Sequence, residues 1–178
     1  NCICLPSQNK SFEVVWKPEF ISEIVPQDRC HLSGLAFRDG KPRYVTAWCE
    51  SDTPEGWKNV PVSAGVIIDI ETNEVVCRGL TRPHSPRWYN NNLYVLDSGT
   101  GYLGAVDFEN KKFIKGAFFR GYLRGLSFHA RYAAVTTSKD RNNTEFANLP
   151  IGEKLKQEEA DIRCQICIVD MSDGSIPY

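Results

Sequence analysis

The residue types best suited to chemistry are two histidines and two arginines that open repeated segments. His31 begins His31–Leu–Ser–Gly–Leu–Ala–Phe37, and Arg82 and His84 lie in Arg82–Pro–His–Ser–Pro–Arg–Trp88. Arg124 lies in Leu123–Arg–Gly–Leu–Ser–Phe128. Aligning Leu35 with Pro86 and Leu126 makes Ser33, His84 and Arg124 near-equivalent and sets His31 and Arg82 two residues earlier. Residues two apart on a strand share a face. Guanidinium groups clamp carboxylates and phosphates through paired N–H donors. His31, Arg82, His84 and Arg124 therefore form a candidate site for a small anionic ligand. A neutral imidazole at His84 or His31 would alternatively act as a general base or hold a divalent metal. The plainer reading is that His84 and Arg87 hydrogen-bond one repeat to the next.

Two further groups invite a chemical reading. Asp97–Ser–Gly–Thr–Gly101 could form an anion nest or supply a cation ligand. The same string reads more simply as a hairpin turn, with Asp accepting backbone N–H bonds and Gly taking positive φ. Cysteines stand at 2, 4, 30, 49, 77, 164 and 167, an odd count with uneven spacing that does not suggest a disulfide framework. Cys164 and Cys167 have zinc-ligand spacing, with Cys2 and Cys4 as a conceivable second pair. Residues three apart on a strand point to opposite faces, so we expect reduced structural thiols and no metal or other cofactor. Among the four tryptophans, at 16, 48, 57 and 88, only Trp57 sits in an apparent loop, and the others read as packing anchors.

Elements that would position these residues are mostly strands. Short runs rich in Val, Ile, Tyr and Phe, such as Arg43–Ala47, Gly65–Asp69, Leu93–Leu96, Tyr132–Thr136 and Ile166–Asp170, are separated by turn residues. Asp39–Gly40 and the Asn90–Asn92 run have the chemistry of tight hairpins, and Met171–Gly174 serves similarly. One helix is expected near 152–160, built on Lys154–Ala160 and polar almost all round. Ser138–Asn148 reads as exposed loop.

Each candidate segment leads into a β-run, then a second run ending in Asp69, Asp107 or Asp170. Four short strands per 40 to 50 residues is the pattern of a β-propeller blade. The fold expectation is thus all-β, a propeller-like repeat of four-stranded antiparallel blades, with a β-sandwich as the alternative. About four blades fit the 178 residues, as a single domain over 1–178 that is a fragment of a longer propeller.

Lys plus Arg total 21 and Asp plus Glu 22, a net charge of −1, which argues against a sequence-independent nucleic-acid partner. No apolar run approaches a membrane span and no secretory leader opens the chain, so we expect a cytoplasmic location. An incomplete ring would leave an open sheet edge, on which two copies could pair as a homodimer.

Trp16–Lys–Pro–Glu–Phe–Ile21, Asp28–Arg–Cys–His–Leu–Ser–Gly–Leu–Ala36, Thr53–Pro–Glu–Gly–Trp57, Arg82–Trp88 and Arg124–Phe128 follow one another in a distinctive order. This order resembles a bacterial family of conserved hypothetical proteins, some joined to tetratricopeptide repeats. The resemblance implies a propeller-like fold and supplies no catalytic residues. Two functions are therefore open: a binding module for a small anion or a protein partner, and a lactonase-like hydrolase with a histidine base.

Overall fold

The computed structural model describes residues 1–139, 148–159 and 162–176. The chain is mostly strand, arranged as four antiparallel sheets with one short helix. β1 (Ile3–Leu5) and β2 (Glu13–Trp16) form a two-stranded sheet. A first meander follows as β3 (Leu32–Arg38), β4 (Lys41–Ala47), β5 (Gly65–Asp69) and β6 (Val75–Leu80). The second is β7 (Pro83–Tyr89), β8 (Asn92–Asp97), β9 (Tyr102–Asp107) and β10 (Lys112–Phe118). The third is β11 (Tyr122–His129), β12 (Tyr132–Ser138) and β13 (Gln165–Asp170).

Turn chemistry sets the registers. Asp39 and Gly40 both take positive φ, 52° and 75°, between the paired residues Arg38 and Lys41. Asn90 and Asn91 do the same between Tyr89 and Asn92. Both residues of such a turn need left-handed backbone, which Asp, Asn and Gly tolerate best. The third hairpin uses Ala130 at φ 48°, a residue that gives no turn signal in the sequence.

The Asp that ends each third strand organises the next turn. Asp69 accepts from the Glu71 N–H at 2.9 Å, and Asp170 from the Ser172 N–H at 3.0 Å. Each is also held by an arginine one strand back, Arg43 at 2.7 Å and Arg131 at 3.0 Å. Asp107 accepts from the Asn110 N–H at 3.1 Å.

Strand periodicity distributes the core between successive sheets. On β8, Leu93 and Val95 face the first meander, packing with Ala36, Tyr44, Ile67 and Leu80. Its other face turns Leu96 toward Leu123, Leu126, Val135 and Val169 of the third meander. On β5, Ile67 faces the second meander while Val66 and Ile68 face Ile21, Cys30, Ile3 and Trp16. A sheet buried on both faces needs apolar side chains at consecutive positions, which explains the Val66–Ile67–Ile68 run. β7 lies against both β3 and β11, so the first strands of the three meanders are side by side.

The helix, α1 (Pro150–Gln157), differs from its expected form. It begins earlier than 152 because Pro150 occupies the first turn, where its missing N–H costs nothing. It is not polar all round: Ile151 and Leu155, four apart, are buried with Leu149 against Tyr122. Ala160 and most of the loop expected over Ser138–Asn148 lie outside the described residues. No described helix is long and apolar enough to cross a membrane.

Candidate site at the openings of the first strands

The start of each first strand carries one of the candidate side chains. His31 immediately precedes β3 and Arg82 immediately precedes β7, both in left-handed backbone at φ 53° and 49°. His84 is the second residue of β7 and Arg124 the third of β11. Each strand then pairs its third or neighbouring residue with a hydroxyl at or just beyond the end of the second strand. Ser33 meets Thr46 Oγ1 at 3.0 Å, His84 meets Ser98 Oγ at 3.0 Å, and Arg124 Nε donates to Ser138 Oγ at 3.4 Å.

These positions converge on a belt of rings. His31 lies 3.8 Å from the Trp48 ring, and the Arg82 guanidinium carbon lies 4.8 Å from the same ring. His84 meets Trp48 edge-on at 6.0 Å and Tyr122 at 5.7 Å. The Arg124 guanidinium lies 4.4 Å over Tyr122, with Nη1 3.5 Å from His84 Nε2. All four sequence candidates, His31, Arg82, His84 and Arg124, thus gather around Trp48 and Tyr122. Stacking on aromatic faces fixes guanidinium planes and leaves their N–H edges free to bond.

Asp28 anchors the rim. Its Oδ2 lies 2.5 Å from His31 Nδ1 and accepts from Trp57 Nε1 at 2.9 Å. Trp57 sits in a 3₁₀ turn, Gly56–Lys58, with its ring edge-on to Trp48 at 5.0 Å.

His84 is neutral at physiological pH. Burial pulls its pKa from 6.5 down to about 4, and the cations Arg124 and Arg82, with His31, push the same way. The Arg82 carbonyl, 3.0 Å from Nδ1, works against this but does not offset it. Among the described residues no carboxylate forms an ion pair with Arg82 or Arg124.

The contacts between repeats fall mainly to other residues. Ser33 Oγ donates to Pro83 O at 2.5 Å and Ser85 Oγ to Arg124 O at 2.7 Å, each reaching the next sheet. Arg87 reaches Leu35 O at 3.5 Å, so Arg87 does bridge two sheets. His84 makes its two Nδ1 contacts within its own meander, to Arg82 O and Ser98 Oγ.

The string Asp97–Gly101 is a turn. Asp97 is buried, accepts from the Thr81 N–H, and contacts Thr100 Oγ1. Gly101 takes φ 80°. Burial raises the Asp97 carboxyl to about 6. All seven cysteines are free. Cys164 is exposed and Cys167 buried, while Cys2 and Cys4 approach to 3.5 Å between sulfurs. Among the described residues no three His, Cys, Asp or Glu side chains gather to hold a metal ion.

Sequence reasoning missed Trp48, Tyr122, Asp28, Ser98 and Ser138. One signal was available: the hydroxyls stand 13 or 14 residues beyond Ser33, His84 and Arg124, a repeat offset as regular as that of the first strands. Trp48 and Tyr122 carry no such mark, because a packing aromatic and a platform aromatic look alike in a sequence.

No curated protein matches the chain. Among solved structures, the crystal structure of the computationally designed Ika4 protein matches with a TM-score of 0.49 at 10% identity, over 90% of this chain and 77% of that one. The computationally designed Ika8 protein matches with a TM-score of 0.44 at 11% identity, over 82% of this chain and 35% of that one. Residues 1–177 match the family model described as a domain of unknown function, DUF4915. With nearly its whole length matched, the chain belongs to the DUF4915 family.

Proposed function

We propose that the chain is a propeller-type binding module that takes a small anionic ligand where β3, β7 and β11 open. Three successive meanders packed face to face, with their first strands adjacent, support the propeller reading. In that architecture the innermost strands surround a central channel, and equivalent positions of different blades converge there. The observation that carries the function is the uncompensated charge. Arg82 and Arg124 both bear on a neutral His84, and among the described residues neither meets a carboxylate. Clustered cations call for an acceptor, and guanidinium edges left free by aromatic stacking suit an oxoanion.

Isothermal titration calorimetry of the purified chain with phosphate, sulfate and citrate tests this. Arg124→Ala is expected to weaken the binding of whichever anion binds by about 1.5–3 kcal/mol, the worth of a charge-assisted hydrogen bond. Its melting temperature should stay within about 2 °C of the parent, because Arg124 is exposed. Binding by none of the anions, or an Arg124→Ala protein that melts early yet binds as before, would overturn the reading.

A further inference from the structure

His84 is held as an acceptor beside a cation, and that combination selects among anions. Nδ1 lies 3.0 Å from the Arg82 carbonyl oxygen, which can only accept, so Nδ1 carries the ring proton. The lone pair is therefore on Nε2. Ser98 Oγ, also 3.0 Å from Nδ1, reaches Leu96 O at 3.5 Å and reinforces the same tautomer. On the other side of the ring, Nε2 accepts from Arg124 Nη1–H at 3.5 Å, the outer limit of a hydrogen bond and a contact that a closer O–H donor would displace. The Arg124 guanidinium is steadied by Tyr122 beneath it and by Ser138 Oγ at Nε. Nη2 and the second N–H of Nη1 are left for a ligand.

A simple carboxylate or phosphate answers only half of this pair. Its oxygens accept from Arg124, but toward Nε2 they present a second lone pair, which is repulsive. A hydroxyl on the carbon next to the anionic group answers both halves. The O–H donates to Nε2 while the oxoanion accepts from Arg124, two groups 3.5 Å apart that adjacent functions of one molecule can span. Arg82, with no hydrogen bond to its guanidinium among the described residues, is free for a second anionic group.

We infer that the His84–Arg124 pair recognises a hydroxyl beside an oxoanion, so that the site takes hydroxycarboxylates, the class of 2-hydroxy acids and sugar acids, in preference to their deoxy analogues. This rests on the anion-binding reading above and sharpens it.

Matched ligand pairs that differ by one hydroxyl provide the test: glycolate and acetate, L- or D-malate and succinate, citrate and tricarballylate, each by calorimetry at pH 7.5. In at least one pair the hydroxy acid should bind roughly tenfold tighter, since an acceptor left facing an oxyanion is penalised. His84→Ala should bring that ratio close to one, by removing the hydroxyl's acceptor and relieving the repulsion that the deoxy acid meets at Nε2. Should that variant fail to fold, the parent's own ratios still decide. Equal affinities within every pair overturn the hydroxyl inference and leave anion binding standing, as does phosphate binding without any of the carboxylates. Binding by none of these anions overturns both.

Discussion

Protonating His84 should cost the fold stability, and the amount follows from its surroundings. Its folded pKa is about 4 against 6.5 for an unburied imidazole, a depression caused first by burial and then by Arg124, His31 and Arg82. For a group that becomes a cation, a depressed pKa means that the folded state binds the proton less readily than the unfolded chain. The contribution of neutral His84 is therefore fully present above about pH 6.5 and is lost as pH falls from there toward 4. Linkage puts the loss on the order of 1 kcal/mol at pH 5.5, rising to about 3 kcal/mol below pH 4. Other groups titrate in the same range, so the assay is a comparison: urea denaturation of the parent and of His84→Gln, which keeps a donor for the Arg82 carbonyl but does not titrate. From pH 8 to pH 5.5 the parent should lose on the order of 1 kcal/mol more than the variant, in the absence of added anions. A difference that stays flat across that range would refute the reasoning. It would mean that the imidazole is solvated, or that an acid compensates the cluster, and the case for an anion site would go with it.

Asp97→Asn should behave in the opposite sense. Burial raises the Asp97 pKa to about 6 from 3.8, so its favourable contribution is present below 3.8 and is lost as pH rises through 6. Urea denaturation at pH 4 and pH 8 should then show the variant losing about 2 kcal/mol less than the parent over that interval, and equal losses would contradict this. Gly34→Ala probes the seam between the first two sheets. A Cβ there would sit 2.4 Å from Pro86 Cδ and 2.9 Å from the Ser85 backbone nitrogen. About 1–3 kcal/mol should be lost to overpacking, and an unchanged unfolding midpoint would mean that β3 and β7 do not pack as described.

The features legible in the sequence were those with a local physical signature. Asp39–Gly40 and the Asn90–Asn91 pair announced their hairpins because left-handed backbone selects those residues. The terminal aspartates 69, 107 and 170 marked equivalent strand ends because each carboxylate satisfies backbone donors in the turn that follows. Ala130 was silent, since the two-residue hairpin between His129 and Tyr132 imposes a positive φ on a residue that does not favour it. The helix was misjudged for a similar reason. Only two residues, Ile151 and Leu155, make its buried stripe, too few to stand out among the lysines and glutamates. At the site, repeat arithmetic gathered His31, Arg82, His84 and Arg124, but it could not pick out Trp48. That ring owes its place to four partners from separate segments, His31, Trp57, Arg82 and His84.

The same backbone bend sets His31 and Arg82 at equivalent points of two repeats. Both residues take left-handed backbone immediately before a first strand, and both then turn toward Trp48. For residues other than glycine this conformation is disfavoured by roughly 1 kcal/mol or more, and extended backbone is the usual choice of a residue that precedes proline, as Arg82 does. Left-handed backbone is not by itself a mark of binding in this chain, which adopts it also at Glu55, Ser85, Lys111 and Ala130. Glycine at 31 or 82 would relieve the strain and preserve the turn. It would forfeit only the side chain. The two positions hold an imidazole and a guanidinium against one ring, at the same place in two repeats. A hinge or a latch between sheets requires neither group, since Ser33 and Ser85 already join the sheets through backbone carbonyls. The convergence of these two side chains on Trp48, rather than the strain at their backbone, is what favours a ligand at their edges.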